Sequence, residues 1–154
     1  MQSPLVAGAM LWDASPEIIK TLDRTGYYLG IAYQVRDDVI DVIGDSEFTG
    51  KPIGVDVRRR KMRLPLIQAL QELSGRKRRK LEDLLRATSL SDEALSEALC
   101  LIKESGSIEY CISKTKEYCE RAADAMNILS EDIASLKVHL YVVANWIASF
   151  EDGT

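Results

Sequence analysis

The sequence has little that would place the protein in a membrane, outside the cell or around a structural metal. It has three cysteines, one histidine and no apolar run near the ~20 residues that span a bilayer. Cys100, Cys111 and Cys119 lack metal-ligand spacing, which indicates reduced thiols in a cytoplasmic protein. No basic region precedes the short apolar part of the amino-terminal segment, so this segment does not resemble a signal peptide.

The composition is that of one globular domain. The 154 residues are 46% hydrophobic and 29% charged, with a net charge of −4 that gives no general attraction to nucleic acid. The basic segment "GRKRRK", Gly75 to Lys80, is followed by Glu82 and Asp83, which favours a solvated surface. Binding to the surface of an anionic membrane is the alternative function of this segment. His139 lies in an apolar helical pattern and is predicted to be structural.

Helical periodicity runs through nearly the whole chain, and no alternating strand pattern interrupts it. We therefore predict a single all-α unit over residues 1–154. Its longest helix begins with Ser15 as N-cap, Pro16 at the first helical position and Glu17 at the positive end of the dipole. It continues to about Ile43 and ends at Gly44, so it is about 42 Å long.

A glycine-containing loop over residues 44–61 is predicted to follow this helix. Five further helices are then predicted from their caps and periodicity. They cover Pro65 to about Leu73, residues 76–87, a helix capped by Ser91 and ending near Glu104, residues 108–129, and a helix capped by Ser130 and ending near Phe150.

The segment "YQVRDDVIDVIGD", from Tyr33 to Asp45, holds four aspartates in an otherwise apolar helical pattern. On a helix Asp37 and Asp41 share a face, with Cβ atoms about 6 Å apart, and Asp38 lies one step round. Like charges at this spacing destabilise a helix unless a cation lies between them. Mg²⁺ takes one or two carboxylates together with substrate phosphates and waters. The pattern therefore predicts a magnesium–diphosphate site, with a solvated acidic face as the alternative.

Three features favour the metal site. Apolar residues flank the aspartates, and Gly26 and Gly30 permit the backbone of a neighbouring segment to approach the helix closely. The following loop is rich in cations, which suit a substrate more negative than its metal can neutralise. These cations are Lys51, Arg58, Arg59, Arg60, Lys61 and Arg63.

The segment "GIAYQVRDDVIDVIGDSEFTGKPIGVDVRRRKMRLPLIQAL" closely resembles the second aspartate-rich region of trans-type polyprenyl diphosphate synthases. The residues in register are Gly30, Gln34, Asp37, Asp38, Asp41, Gly44, Asp45, Gly50, Lys51, Pro52, Gly54, Asp56, Lys61, Leu64 and Pro65. Flanking segments, "GAMLWDAS" upstream and "SGSIEYCISKTKEYCERAADAMNIL" downstream, extend the resemblance over essentially the whole chain. Tyr33 replaces a usual phenylalanine, and Arg60 and Arg63 stand where glycine and threonine are common.

The resemblance implies the carboxy-terminal half of an isoprenyl diphosphate synthase bundle. In that family two aspartate-rich motifs together hold Mg²⁺ around an allylic diphosphate, which condenses with isopentenyl diphosphate. By resemblance, Asp37, Asp38 and Asp41 are the metal ligands, with Asp37 and Asp41 in the catalytic set. Asp38 also contacts the substrate. Lys51 and Lys61 are catalytic and bind diphosphate, and Gln34 faces the same substrate.

The other half of the family pattern is not found in this sequence. Family members are about twice as long and carry a first aspartate-rich motif, whereas no second D-D-x-x-D occurs here. Lys20 and Thr21 do not match the family's Lys-Thr pair, because Lys20 lies 17 residues before Asp37, or about 25 Å along the same helix. The initial methionine favours a separate gene product over a fragment.

We therefore expect one subunit of a cytoplasmic heteromeric prenyltransferase, completed by a second protein subunit that carries the first motif. The chain should be inactive alone and should form an interface of ~2,000 Å² or more. Tyr110, Tyr118, Trp146 and Phe150 are predicted to pack in the core or at this interface. A non-catalytic helical subunit that regulates or stabilises a complete prenyltransferase is the main alternative, and half of a terpene cyclase is a third.

Overall fold

Helices are the regular secondary structure of the computed structural model, which describes residues 1–44, 52–127, 129 and 133–150. Over these residues the chain forms eight helices and no strand, which confirms the predicted all-α class. They are α1 (Gln2–Leu11), α2 (Pro16–Ile43), α3 (Val55–Arg58), α4 (Leu64–Glu72), α5 (Gly75–Arg86), α6 (Asp92–Glu104), α7 (Ser107–Met126) and α8 (Ala134–Ala148).

The long helix α2 has the predicted bounds, because its ends are set by local chemistry. The Ser15 hydroxyl accepts a hydrogen bond from the Ile18 amide at 3.4 Å, and Glu17 lies in the first turn. At the other end the Gly44 amide donates to the Ile40 carbonyl at 2.8 Å and closes the last turn. The predicted cap of α6 is also confirmed, since the Ser91 hydroxyl accepts from the Ala94 amide at 3.2 Å.

The predicted loop between α2 and α4 contains the short helix α3, which sequence patterning missed. Gly54 precedes it in the left-handed region, with φ of 71°. This backbone conformation favours glycine, and the space is also tight, because a Cβ at this position would lie 3.0 Å from the Leu95 side chain. Helix α7 ends at Met126, earlier than predicted. Ile133 occupies the N-cap position of α8, and the predicted cap Ser130 lies outside the described residues.

The chain forms two compact units, each with its own packed interior. Unit 1 comprises residues 1–36 and 114–150, and its core joins side chains of α1, α2, α7 and α8. A Cβ on Gly26 would lie 2.7 Å from the Cα of Gln2, which confirms the predicted close approach at this glycine. Gly30 has no such close neighbour, because its Cβ would lie 3.8 Å from the Met1 nitrogen.

Unit 2 comprises residues 37–113, in which α6 packs against α3, α4 and α5. Its fully buried side chains include Leu66, Leu81 and Ile102. Cys111 is also buried, and burial followed by the nearby Asp38 charge raises the pKa of its thiol to about 12. A thiol with a raised pKa is a weak nucleophile at neutral pH, as is usual for a buried cysteine.

Several large apolar side chains lie on the surface of unit 1. Val138, Val142 and Trp146 follow one another at one-turn intervals on α8, and all three are exposed. Tyr33 stacks on Trp146 with ring centroids 6.3 Å apart. Placement in the core is therefore wrong for Trp146, and it is also wrong for the exposed Tyr110 of unit 2, whereas an interface role stays a prediction. Tyr118 and Phe150 are half-buried.

The basic start of α5 is largely neutralised by glutamates. Ion pairs join Lys77 to Glu104, Arg78 to Glu82 and Lys80 to Glu97. These contacts favour the solvated-surface interpretation of the "GRKRRK" segment. Each helix in the described ranges is too short or too polar to cross a membrane.

Candidate metal and diphosphate site

The three motif aspartates at the carboxy-terminal end of α2 lie in three different environments. Asp37 is exposed, Asp41 is half-buried, and Asp38 is buried with 6% of its surface accessible. The carboxy-terminal end of a helix carries a negative partial charge, which adds to the repulsion among these carboxylates. Each aspartate therefore needs positive charge or hydrogen-bond donors from outside α2.

Asp41 receives donors from the start of α3. Its Oδ1 accepts from the Val55 amide at 3.0 Å, and its Oδ2 accepts from the Asp56 amide at 3.1 Å. The Asp41 backbone carbonyl also accepts from the Gly54 amide at 2.7 Å. Burial raises the pKa of Asp41, repulsion from Asp56 and Asp37 adds to this, and the two amides only partly offset it. One residue thus connects the end of α2 to the start of α3.

Asp38 and Asp56 share the guanidinium of Arg63. The Arg63 Nε lies 3.6 Å from Asp38 Oδ1 and donates to Asp56 Oδ2 at 3.1 Å. The other Asp56 oxygen accepts from Lys61 Nζ at 2.7 Å. Burial opposes ionisation of Asp56, but its hydrogen bonds to Lys61 and Arg63 outweigh burial and hold its pKa below the usual value. Carboxylates and cations therefore alternate beside the motif.

Two other basic residues of this loop contact the connection between α5 and α6. Arg58 donates to the Leu90 carbonyl at 3.0 Å and pairs with Asp92. Arg60 donates to the Ala87 carbonyl. These contacts hold the loop against other parts of unit 2. Lys61 and Arg63, in contrast, contact the aspartates at the site. The predicted cationic loop thus separates into a structural part and a part beside the motif.

The structure places most of the predicted site residues near the end of α2. Gln34 is exposed one turn before Asp38, and Lys61 reaches Asp38 indirectly through Asp56 and Arg63. Lys51 lies outside the described residues, so its predicted role is not tested.

Sequence reasoning gave no role to Asp56, which matched the family pattern only as a residue in register. The signal that points to it is an isolated acid in a basic run, five residues before Lys61 and seven before Arg63.

Carboxylate oxygens beside loop cations are the donor type that magnesium prefers. In the described ranges no group of three or more His, Cys, Asp or Glu side chains is placed to hold a metal ion. Magnesium usually takes one or two carboxylates and fills its octahedron with waters and substrate phosphates. The exposed carboxylate of Asp37 suits this arrangement because it has room for both.

Comparison with known proteins identifies one family over most of the chain. The sequence model of the polyprenyl synthetase family matches residues 1–102. The chain is 36% identical over 140 residues to the geranylfarnesyl diphosphate synthase of Aeropyrum pernix. That match covers 91% of this chain and 43% of the relative.

Solved structures give the same result for the fold. A polyprenyl synthase from Caulobacter crescentus, in complex with calcium and isoprenyl diphosphate, matches with a TM-score of 0.85 and 26% identity. It covers 94% of this chain, which spans 43% of that structure. A geranylgeranyl pyrophosphate synthase from Corynebacterium glutamicum, in complex with isoprenyl diphosphate and magnesium, matches with a TM-score of 0.82 and 26% identity over 94% of this chain and 41% of its own. The chain thus spans less than half the length of these proteins.

Proposed function

The chain belongs to the polyprenyl synthetase family, and we propose that it supplies the second D-D-x-x-D site of a heteromeric trans-prenyltransferase. The enzyme would condense an allylic diphosphate with isopentenyl diphosphate. The observation that carries the proposal is the grouping of the motif aspartates with Lys61 and Arg63 around the end of α2. Two similar proteins support it. The Aeropyrum relative is a geranylfarnesyl diphosphate synthase, and the Corynebacterium structure contains isoprenyl diphosphate and magnesium.

Asp37 is proposed as the first magnesium ligand, because its carboxylate is open to solvent. Bound magnesium would neutralise the negative charge that develops on a departing diphosphate. The resemblance also makes Asp38 and Asp41 candidate ligands, but each already has protein contacts that a metal would have to share or displace. The metal would therefore be completed by substrate oxygens and water and not by protein alone.

The cations of the loop are proposed to hold the diphosphate oxygens that the metal does not reach. Lys61 is exposed, so its ammonium group can turn from Asp56 toward a phosphate. Lys51 is proposed to act with it, and Gln34 to contact the same substrate from α2. Donors placed in advance around developing negative charge lower the barrier to diphosphate departure.

A partner subunit is proposed to carry the first aspartate-rich motif and the rest of the cavity. This chain spans 43% of the length of the Aeropyrum relative, so more than half of that relative has no counterpart in it. The exposed apolar residues of α8 in unit 1 also support an association that covers them. We expect the interface to bury ~2,000 Å² or more.

Reconstitution tests the proposal. The chain is co-purified from its native source, the bound subunit is identified, and each subunit is then produced separately. We expect labelled isopentenyl diphosphate to be incorporated into product only when both subunits and Mg²⁺ are present, and chelation of the metal should abolish incorporation. Full activity of this chain without a partner would contradict the heteromeric assignment.

A non-catalytic regulatory or stabilising subunit is a second candidate. The internal contacts of Asp38 and Asp41 favour it, because two of the three motif carboxylates already have protein partners. The same reconstitution separates the two functions. If the partner alone turns over at the full rate and this chain only raises its thermal stability, the regulatory function is correct.

A further inference from the structure

We infer that Asp41 is a positioning residue for the basic loop and not a magnesium ligand. The inference rests on the proposed function, because the importance of the loop lies in the diphosphate that Lys61 and Arg63 would meet. It divides the D-D-x-x-D motif by role: Asp37 faces the metal, and Asp41 sets the loop that faces the substrate.

The contacts of Asp41 are those of a structural carboxylate. Each of its two oxygens accepts a backbone N–H, from Val55 on one side and Asp56 on the other. These N–H groups point positive partial charge at the oxygens that a metal would need. Each oxygen keeps a second lone pair, but the positive partial charge of the two N–H groups and the half-burial of the carboxylate both disfavour a divalent cation at Asp41. Asp37 is exposed, so a metal can reach its carboxylate without entering a half-buried environment.

Asp41 influences the positions of the Lys61 and Arg63 side chains indirectly, through Asp56. The two amide contacts fix the first residues of α3, and Asp56 is one of these residues. The Asp56 carboxylate then holds both Lys61 Nζ and Arg63 Nε, while its backbone carbonyl accepts from the Lys61 amide at 2.9 Å. Asp41, Asp56 and the two cations thus form a series in which each member sets the position of the next.

Matched substitutions test this series in the full chain. Asp41→Asn keeps the side-chain size but places an NH₂ donor opposite a backbone N–H, and Asp56→Asn weakens the hold on the cations. Asp37→Asn is the comparison for metal binding. Asp83→Asn, at an exposed position on α5, is the control for loss of one negative charge.

Two measurements are made on each variant. Hydrogen exchange reports protection of the Val55 and Asp56 amides, and calorimetry reports binding of inorganic pyrophosphate across a magnesium titration. We expect Asp41→Asn to lower amide protection and to weaken pyrophosphate binding at saturating magnesium by about tenfold. The magnesium concentration at half-saturation should stay within about twofold of the parent value, since Asp41 is not a ligand. In Asp37→Asn this concentration should rise sharply with amide protection unchanged.

The double variant adds a further requirement. Asp56→Asn should also weaken pyrophosphate binding by about tenfold, and because Asp41 and Asp56 act in series, the double variant should lose about the same factor and not about a hundredfold. A merely structural loss of stability would not produce this saturation together with an unchanged magnesium requirement.

The inference is overturned if Asp41→Asn raises the magnesium requirement as Asp37→Asn does while the Val55 and Asp56 amides stay protected. If neither this chain nor its complex with the partner subunit binds pyrophosphate, the proposed function fails, and hydrogen exchange still decides the positioning role. Amides that are protected in the parent and exposed in Asp41→Asn support that role. Unchanged protection rejects it.

Discussion

Replacing Asp37 by asparagine should weaken magnesium-dependent binding of pyrophosphate by about a hundredfold or more. Asparagine has nearly the same shape but no charge, and a neutral amide oxygen is a poor substitute for a carboxylate on a hard cation. The side chain is exposed on the last part of α2, so the substitution removes no buried contact and the fold should be preserved. In the reconstituted enzyme the same variant should lower turnover by a similar factor, because charge on the departing diphosphate would be less well neutralised.

The controls for this prediction separate charge from position. Asp83→Asn removes the same charge from an exposed helical site in unit 2 and should leave pyrophosphate binding unchanged. Circular dichroism and the unfolding midpoint should be the same for both variants. If Asp37→Asn binds pyrophosphate as tightly as the parent protein, Asp37 is not a metal ligand. The solvated acidic face would then be the better interpretation.

Gly26→Ala should destabilise unit 1, whereas the same change four residues later at Gly30 should not. A Cβ on Gly26 would lie 2.7 Å from the Cα of Gln2 and 3.1 Å from the Leu5 side chain, so α1 must move away from α2. Overpacking of this kind costs about 1–3 kcal/mol, which exceeds the gain of about 1 kcal/mol from replacing glycine by alanine inside a helix. The free energy of unfolding is therefore expected to fall by up to about 2 kcal/mol.

Gly30→Ala is the matched control, because its nearest atom, the Met1 nitrogen, would be 3.8 Å from the new Cβ. It should therefore stabilise the protein by up to about 1 kcal/mol through helix propensity alone. Urea denaturation followed by far-ultraviolet circular dichroism measures both variants. The opposite signs are the test: stabilisation by both substitutions would show that α1 does not approach α2 at Gly26.

The parts of the fold that could be predicted from the sequence are those that are set by neighbouring residues. Ser15, Pro16 and Glu17 define the start of α2 within one turn, so the helix begins where the pattern indicates. Helix α3 could not be predicted in the same way. It has only four residues and begins at amides held by Asp41, which lies 14 residues earlier in the chain than Val55. Periodicity and caps give no information about a contact of that separation.

The site was predictable to a similar extent and for the same reason. Helical spacing and the resemblance placed Asp37, Asp38 and Asp41 together, and the structure has them on one helix. Their different environments follow from the path of the loop, which brings Arg63 to Asp38 and the start of α3 to Asp41. That path depends on packing within unit 2. The sequence motif alone therefore cannot show that its three aspartates have different partners.

The location of the two tryptophans limits what spectroscopy can report about this chain. Trp12 is 63% exposed and Trp146 is 52% exposed, and both belong to unit 1. Indole emission therefore reports on two exposed side chains of unit 1, of which Trp146 has its ring centroid 4.5 Å from the Arg36 guanidinium carbon. Unit 2, which carries the motif aspartates, contains no tryptophan. An unfolding transition followed only by tryptophan fluorescence would therefore not report the unfolding of unit 2.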